Sequence, residues 1–89
     1  MTIITNQCYG GFHLPQDFCD QYGLMRYSRI DRTDPRLIQY VRDHGGEVED
    51  DSADLVAVEI PDSCTDWELT EYDGMESITY VVGGKLFHA

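Results

Sequence analysis

Two glycine-bearing dipeptides near the C-terminus, Asp73-Gly74 and Gly83-Gly84, constrain this chain more than any other feature. Asp73-Gly74 is a favoured two-residue hairpin turn, and Gly83-Gly84 reads as a second turn. Before the first, Trp67 and Leu69 alternate with Glu68 and Thr70. After it, Ile78, Tyr80 and Val82 share one side. A period of two broken by turns predicts consecutive antiparallel strands, ending in KLFHA (85–89) as an edge strand.

Upstream, the clearest signal is TDPRLIQYVRDHGG. Asp34 can accept from the free amides of a first turn, Pro35 suits the first helical position, and Gly45-Gly46 closes the far end. Leu37, Ile38, Val41 and His44 mark one face, so the spacing predicts a helix over 35–44. A shorter helix is expected over 15–22, opening at Pro15 and ending at Gly23. Residues 2–9 read as a first strand stopped by Gly10-Gly11, and 24–30 as irregular. LVAVEI (55–60) reads as a strand stopped by Pro61, its continuous apolar character suggesting a central, two-sided position. Eighty-nine residues leave room for one core, so residues 1–89 form a single domain. The expected class is α+β, with two short helices packed on one face of a largely antiparallel sheet of about four to five strands.

Charge divides the chain. Residues 1–46 hold five Arg and five acids, whereas residues 47–89 hold one Lys and twelve acids, which together give the net charge of −11. A field of this sign repels nucleic acid and anionic membrane and attracts basic partners. No apolar run approaches the ~20 residues that span a bilayer, and MTIITNQ lacks the basic and apolar regions of a signal peptide. A soluble cytoplasmic chain is therefore expected. Three cysteines without CxxC spacing indicate neither a disulfide framework nor zinc.

Catalytic and cofactor motifs are weak. NQCYGGFHLPQDF has the layout of a phosphate-binding turn, with Tyr9, Gly10, Gly11, Phe12 and His13 as a ligand-pocket lip. It lacks both glycine-loop patterns and any nearby lysine, so an arginine from 26–42 would have to supply the cation. DDSAD (50–54) fails as a calcium loop, because Leu55 and Pro61 stand where glycine and the bidentate acid belong. Cys8 could act as a nucleophile only if the fold brought His13 or His44 to it, with no third orienting group identifiable. No cofactor or metal is indicated, and an enzyme is the less favoured reading. The coherent site is the acidic hairpin, where Glu68, Glu71, Asp73 and Glu76 would place carboxylates at one end and on one face of the sheet. Such an array can dock a basic protein surface or imitate the phosphates of a duplex.

NQCYGGF, RTDPRLIQYV, ADLVAVEIPD and EYDGMES together resemble a family of small, mostly uncharacterised proteins encoded by bacteriophages and prophages. The similarity spans nearly the whole chain, although SITYVVGGKLFHA departs from the more charged tail of similar proteins. The resemblance implies a viral setting in a bacterial host cytoplasm and no particular reaction. It favours a small acidic protein that binds and inhibits a host protein, as a counter-defence or host-takeover factor. The alternative is a small-molecule or nucleotide binder at CYGGFH. The edge strand KLFHA invites pairing in a homodimer.

Overall fold

The computed structural model describes residues 1–8, 11–45 and 54–89. Its elements follow the order β1 (Thr2–Asn6), α1 (Gln16–Tyr22), α2 (Pro35–His44), β2 (Leu55–Glu59), β3 (Asp66–Tyr72), β4 (Met75–Val82) and β5 (Lys85–His88). The class is α+β, and the described residues form five antiparallel strands divided between a β1–β2 ribbon and a β3–β4–β5 meander.

The helix α2 starts and stops where its local chemistry directs. The Asp34 carboxylate accepts the Arg36 amide at 2.8 Å, Pro35 follows in the first turn, and Gly45 ends the helix at φ 77°. In α1, Pro15 stands one place outside the helix, in the extended conformation at φ −62° and ψ 147°. A proline ring permits both roles, because it fixes φ and leaves ψ free.

The ribbon aligns Thr2 with Glu59 and Asn6 with Leu55. β1 ends three residues earlier than the sequence suggests, because the Asn6 side chain replaces the strand ladder. Its Oδ1 accepts the amides of Asp54 (2.9 Å) and Cys8 (3.3 Å), while its Nδ2 donates to the carbonyls of Cys8 and Gly74, both at 2.8 Å. β2 is not laterally central among the described residues, where it pairs with β1 alone. Its apolar run is explained instead by burial of both faces of the ribbon.

One face of the ribbon, through Ile4, Leu55 and Ala57, meets Leu14, Phe18, Leu37 and Val41. Both helices thus pack on the same side. The other face, through Ile3 and Val58 with Ile60 beyond the strand end, meets Ile78, Trp67 and Tyr80 of the meander. Phe18 anchors the helical side, with Tyr22 and Tyr40 ring centroids at 4.9 and 5.5 Å.

Arg32 and Glu76 join the helical half to the meander. Arg32 donates through Nη1 and Nη2 to the two Glu76 carboxylate oxygens, the second bond measuring 2.7 Å. The Asn6 amide donates to Glu76 Oε1 at 2.7 Å, and the Ile4 amide donates to the Arg32 carbonyl at 2.8 Å. A bidentate ion pair with a third donor satisfies a carboxylate that would be costly to bury alone.

Candidate functional site

Four residues with positive φ shape the meander. Asp73 (φ 51°) and Gly74 (φ 89°) form the first turn, and Gly83 (φ 58°) and Gly84 (φ 78°) the second. Positive φ at both central positions matches the right-handed twist of the flanking strands and closes a tight hairpin. The register then pairs Trp67 with Tyr80, Leu69 with Ile78, and Tyr80 with Phe87. These residues share the inner face, where the Tyr80 and Phe87 rings stack at 5.5 Å. Glu68 and Thr70 take the outer face, where Thr70 and Ser77 hydroxyls meet at 2.9 Å.

Glu68, Glu71 and Asp73 are exposed, as is Asp66 at the start of β3. None of the four forms an ion pair among the described residues. By contrast, Asp34 pairs with Arg36 at 2.9 Å, Glu59 with Arg42 at 3.1 Å, Asp62 with the Met1 amino group, and Glu76 with Arg32. Glu71 Oε1 accepts the Gly74 amide at 2.8 Å, bracing the turn, and Asp66 Oδ1 accepts the Trp67 amide at 2.9 Å. Apolar surface adjoins these carboxylates, since Tyr72 is 75% and Leu86 63% exposed.

Glu76 corrects the sequence-derived site. It is only 5% exposed and is occupied by Arg32 and the Asn6 amide, so it joins the two halves rather than facing a partner. Glu71 and Glu76 are opposite each other across the hairpin and share a face, but only Glu76 is covered, by Arg32, whereas Glu71 stays exposed at the end of β3 and braces the turn. The acidic surface therefore comprises Glu68, Glu71 and Asp73, with Asp66 added at the far end of β3.

Of the CYGGFH stretch, Tyr9 and Gly10 lie outside the described residues, as does most of the DDSAD segment. Gly11 has φ 86°, and a Cβ there would meet nothing within 4 Å. Backbone conformation, rather than close approach to a neighbour, is what glycine serves at this position. His13 is buried against Tyr27, at 5.7 Å between rings, so it does not form a pocket lip. An arginine does reach this region, with the Arg32 guanidinium 3.5 Å from the Phe12 ring centroid. Its donors, however, are directed to Glu76 and the Ile4 carbonyl.

Sequence reasoning missed an open groove of about 630 Å³ lined by Phe12, Tyr27, Arg29, Asp31, Arg32 and Arg36. Within it Arg36 is held by Asp34, whereas Arg29 makes no ion pair among the described residues. Its lining comes from Phe12, the irregular segment 27–32 and the start of α2, so no local motif announces it.

The cysteines are unbridged, with Cys19 buried and its thiol pushed up by that burial. Among the described residues, no cluster of three or more His, Cys, Asp or Glu side chains could hold a metal ion. Among the described residues, no helix is long and apolar enough to cross a membrane. Searches against protein-family models, curated proteins and solved structures found no match to this chain.

Proposed function

We propose that this chain is a non-enzymatic binding protein that engages a protein with a basic surface through the β3–β4–β5 meander. The observation that supports this reading is the set of carboxylates Asp66, Glu68, Glu71 and Asp73, on exposed positions and without an ion-pair partner among the described residues, bordered by exposed Tyr72 and Leu86. Charged groups arranged this way accelerate encounter with an oppositely charged partner and set its orientation, while the aromatic and aliphatic side chains supply area to bury. The two tight turns hold the carboxylates on a preformed sheet, so binding need not order them. With the sequence resemblance to phage proteins, the partner is a host protein in a bacterial cytoplasm, and the consequence of binding is inhibition.

Immobilised protein incubated with bacterial lysate at low and raised salt tests this reading. Glu68→Gln, Glu71→Gln and Asp73→Asn combined should release a partner that the unmodified chain retains only at low salt. Glu76 is excluded from the variant because its loss would perturb the fold. A partner held equally by both proteins would defeat the assignment.

The groove beside Phe12 supports a second reading, a small anionic ligand held by Arg29 with Tyr27 as a stacking surface. Such a ligand, tried first as a nucleoside diphosphate, should raise the melting temperature of the unmodified chain and not of Arg29→Gln.

A further inference from the structure

The lateral edge of β3 adds to this site a feature that side-chain charge does not reveal. Among the described residues, β3 pairs with β4 alone and is the terminal strand of the meander. Tyr72 and Met75 flank the two-residue turn and close it as a hydrogen-bonded pair, which fixes the direction of every backbone group along the strand. The N–H and C=O groups of Thr70 and Glu68 point to β4. Those of Glu71, Leu69 and Trp67 point away from it. The Trp67 amide confirms this geometry, since its partner is the side chain of Asp66 and not a strand.

We propose that β3 accepts an extended, basic segment of the partner protein as a fourth strand of the meander. This inference rests on the acidic-surface reading and specifies how that surface binds. An unpaired edge offers backbone donors and acceptors to an incoming strand, and the neighbouring side chains select its sequence. Here Asp66 and Glu68 lie two residues apart on the outer face, matching the two-residue period of an added strand. Trp67 and Leu69 alternate with them on the inner face and are half-buried. The matching segment is cationic at alternate positions, opposite Asp66 and Glu68, and apolar between, alongside Trp67 and Leu69.

The charge balance argues against a second copy of this chain as the occupant. β5 of another molecule would bring a single lysine, Lys85, to the acidic edge, while approaching with a net charge of −11. A foreign strand carrying several Arg or Lys side chains gains the same backbone bonds without that repulsion.

A capped hexapeptide of alternating arginine and valine is the probe, measured by calorimetric titration against the full chain at low salt. Antiparallel addition directs the valine amides at β3, so N-methylation of all valines should abolish binding, while N-methylation of all arginines should leave it within about twofold. Parallel addition reverses the two sets, and that result also supports a fourth strand. Asp66→Asn with Glu68→Gln should weaken the unmethylated peptide about fivefold, the scale of one to two exposed ion pairs. If both methylated peptides bind like the parent but the acid variant still weakens them, strand addition fails and the acidic-surface reading stands. If the acid variant binds the parent peptide as tightly as the unmodified chain does, the acidic-surface reading fails as well. No binding of the parent peptide, or a protein mass that grows with concentration in its absence, overturns a foreign fourth strand.

Discussion

Glu76 and Glu68 carry the same functional group on the same meander and hold opposite places in the energetics of the chain. Glu76 is removed from water and receives two donors from Arg32 and one from the Asn6 amide. Glu76→Gln keeps an acceptor for Asn6 but leaves Arg32 without its counter-charge, which should cost about 3 kcal/mol, the low end for a broken buried pair. Glu68→Gln should change stability by no more than about 0.5 kcal/mol, as for other exposed substitutions. Urea denaturation of the two variants checks the contrast. Nothing in ELTEYDGMES says that Glu76 will be buried, because the group that covers it lies 44 residues away. The Asp34 cap, by contrast, was legible, since its partners lie within three residues. The Arg36 guanidinium, followed by the Arg36 amide, holds the Asp34 carboxyl below the usual carboxylate range. A lowered folded-state value means that this stabilisation is complete above the unfolded pKa of about 3.9 and is lost as pH falls through the folded value. Asp34→Ala should therefore cost about 1 kcal/mol at neutral pH. Measured from pH 7 down to pH 2, the difference between the two proteins should shrink only below about pH 4.

At the scale of elements, the two turns determine whether β3, β4 and β5 stay in register. Gly84 tests this without the complication of packing, because a Cβ there meets nothing within 4 Å while φ is +78°. Gly84→Ala should cost about 1–2 kcal/mol purely as left-handed backbone strain, and Gly84→Asn less, by urea denaturation. Equal stability of Ala and Gly at this position would show that the turn relaxes to another type. Both turns and the whole of α2 could be read from sequence, since each is specified within a dozen residues. The split into ribbon and meander could not. β1 finds β2 across a separation reaching 57 residues, and an apolar run such as LVAVE is compatible with either lateral neighbours or two covered faces. The fate of the β3 edge was equally hidden, because alternation in DWELTEY assigns its side chains to faces but does not say which strand becomes terminal.

Over the whole molecule, the distribution of charge sets a competition between cohesion and repulsion. Three arginines of the helical half are held in ion pairs, Arg32 with Glu76, Arg36 with Asp34 and Arg42 with Glu59, while the meander's exposed carboxylates Asp66, Glu68, Glu71 and Asp73 have no ion-pair partners among the described residues. Of these pairs only Arg32–Glu76 is shielded from the solvent on both sides, with side chains 20% and 5% exposed. Added salt screens exposed charges over a Debye length of about 10 Å at 0.1 M and hardly reaches a buried pair. Screening should therefore weaken repulsion among Asp66, Glu68, Glu71 and Asp73 more than it weakens the ion pair that holds the halves together. The melting temperature should rise as sodium chloride increases from 10 to 300 mM, by about 4–8 °C for each kcal/mol of repulsion removed in a domain of this size. The variant combining Glu68→Gln, Glu71→Gln and Asp73→Asn should start higher at low salt and rise less, because part of the repulsion is already gone. A fall in melting temperature with salt would mean that exposed attractions at Arg36 and Arg42 outweigh the repulsion. Parallel curves for the two proteins would instead place the destabilising charge elsewhere in the chain, away from the surface assigned to the partner.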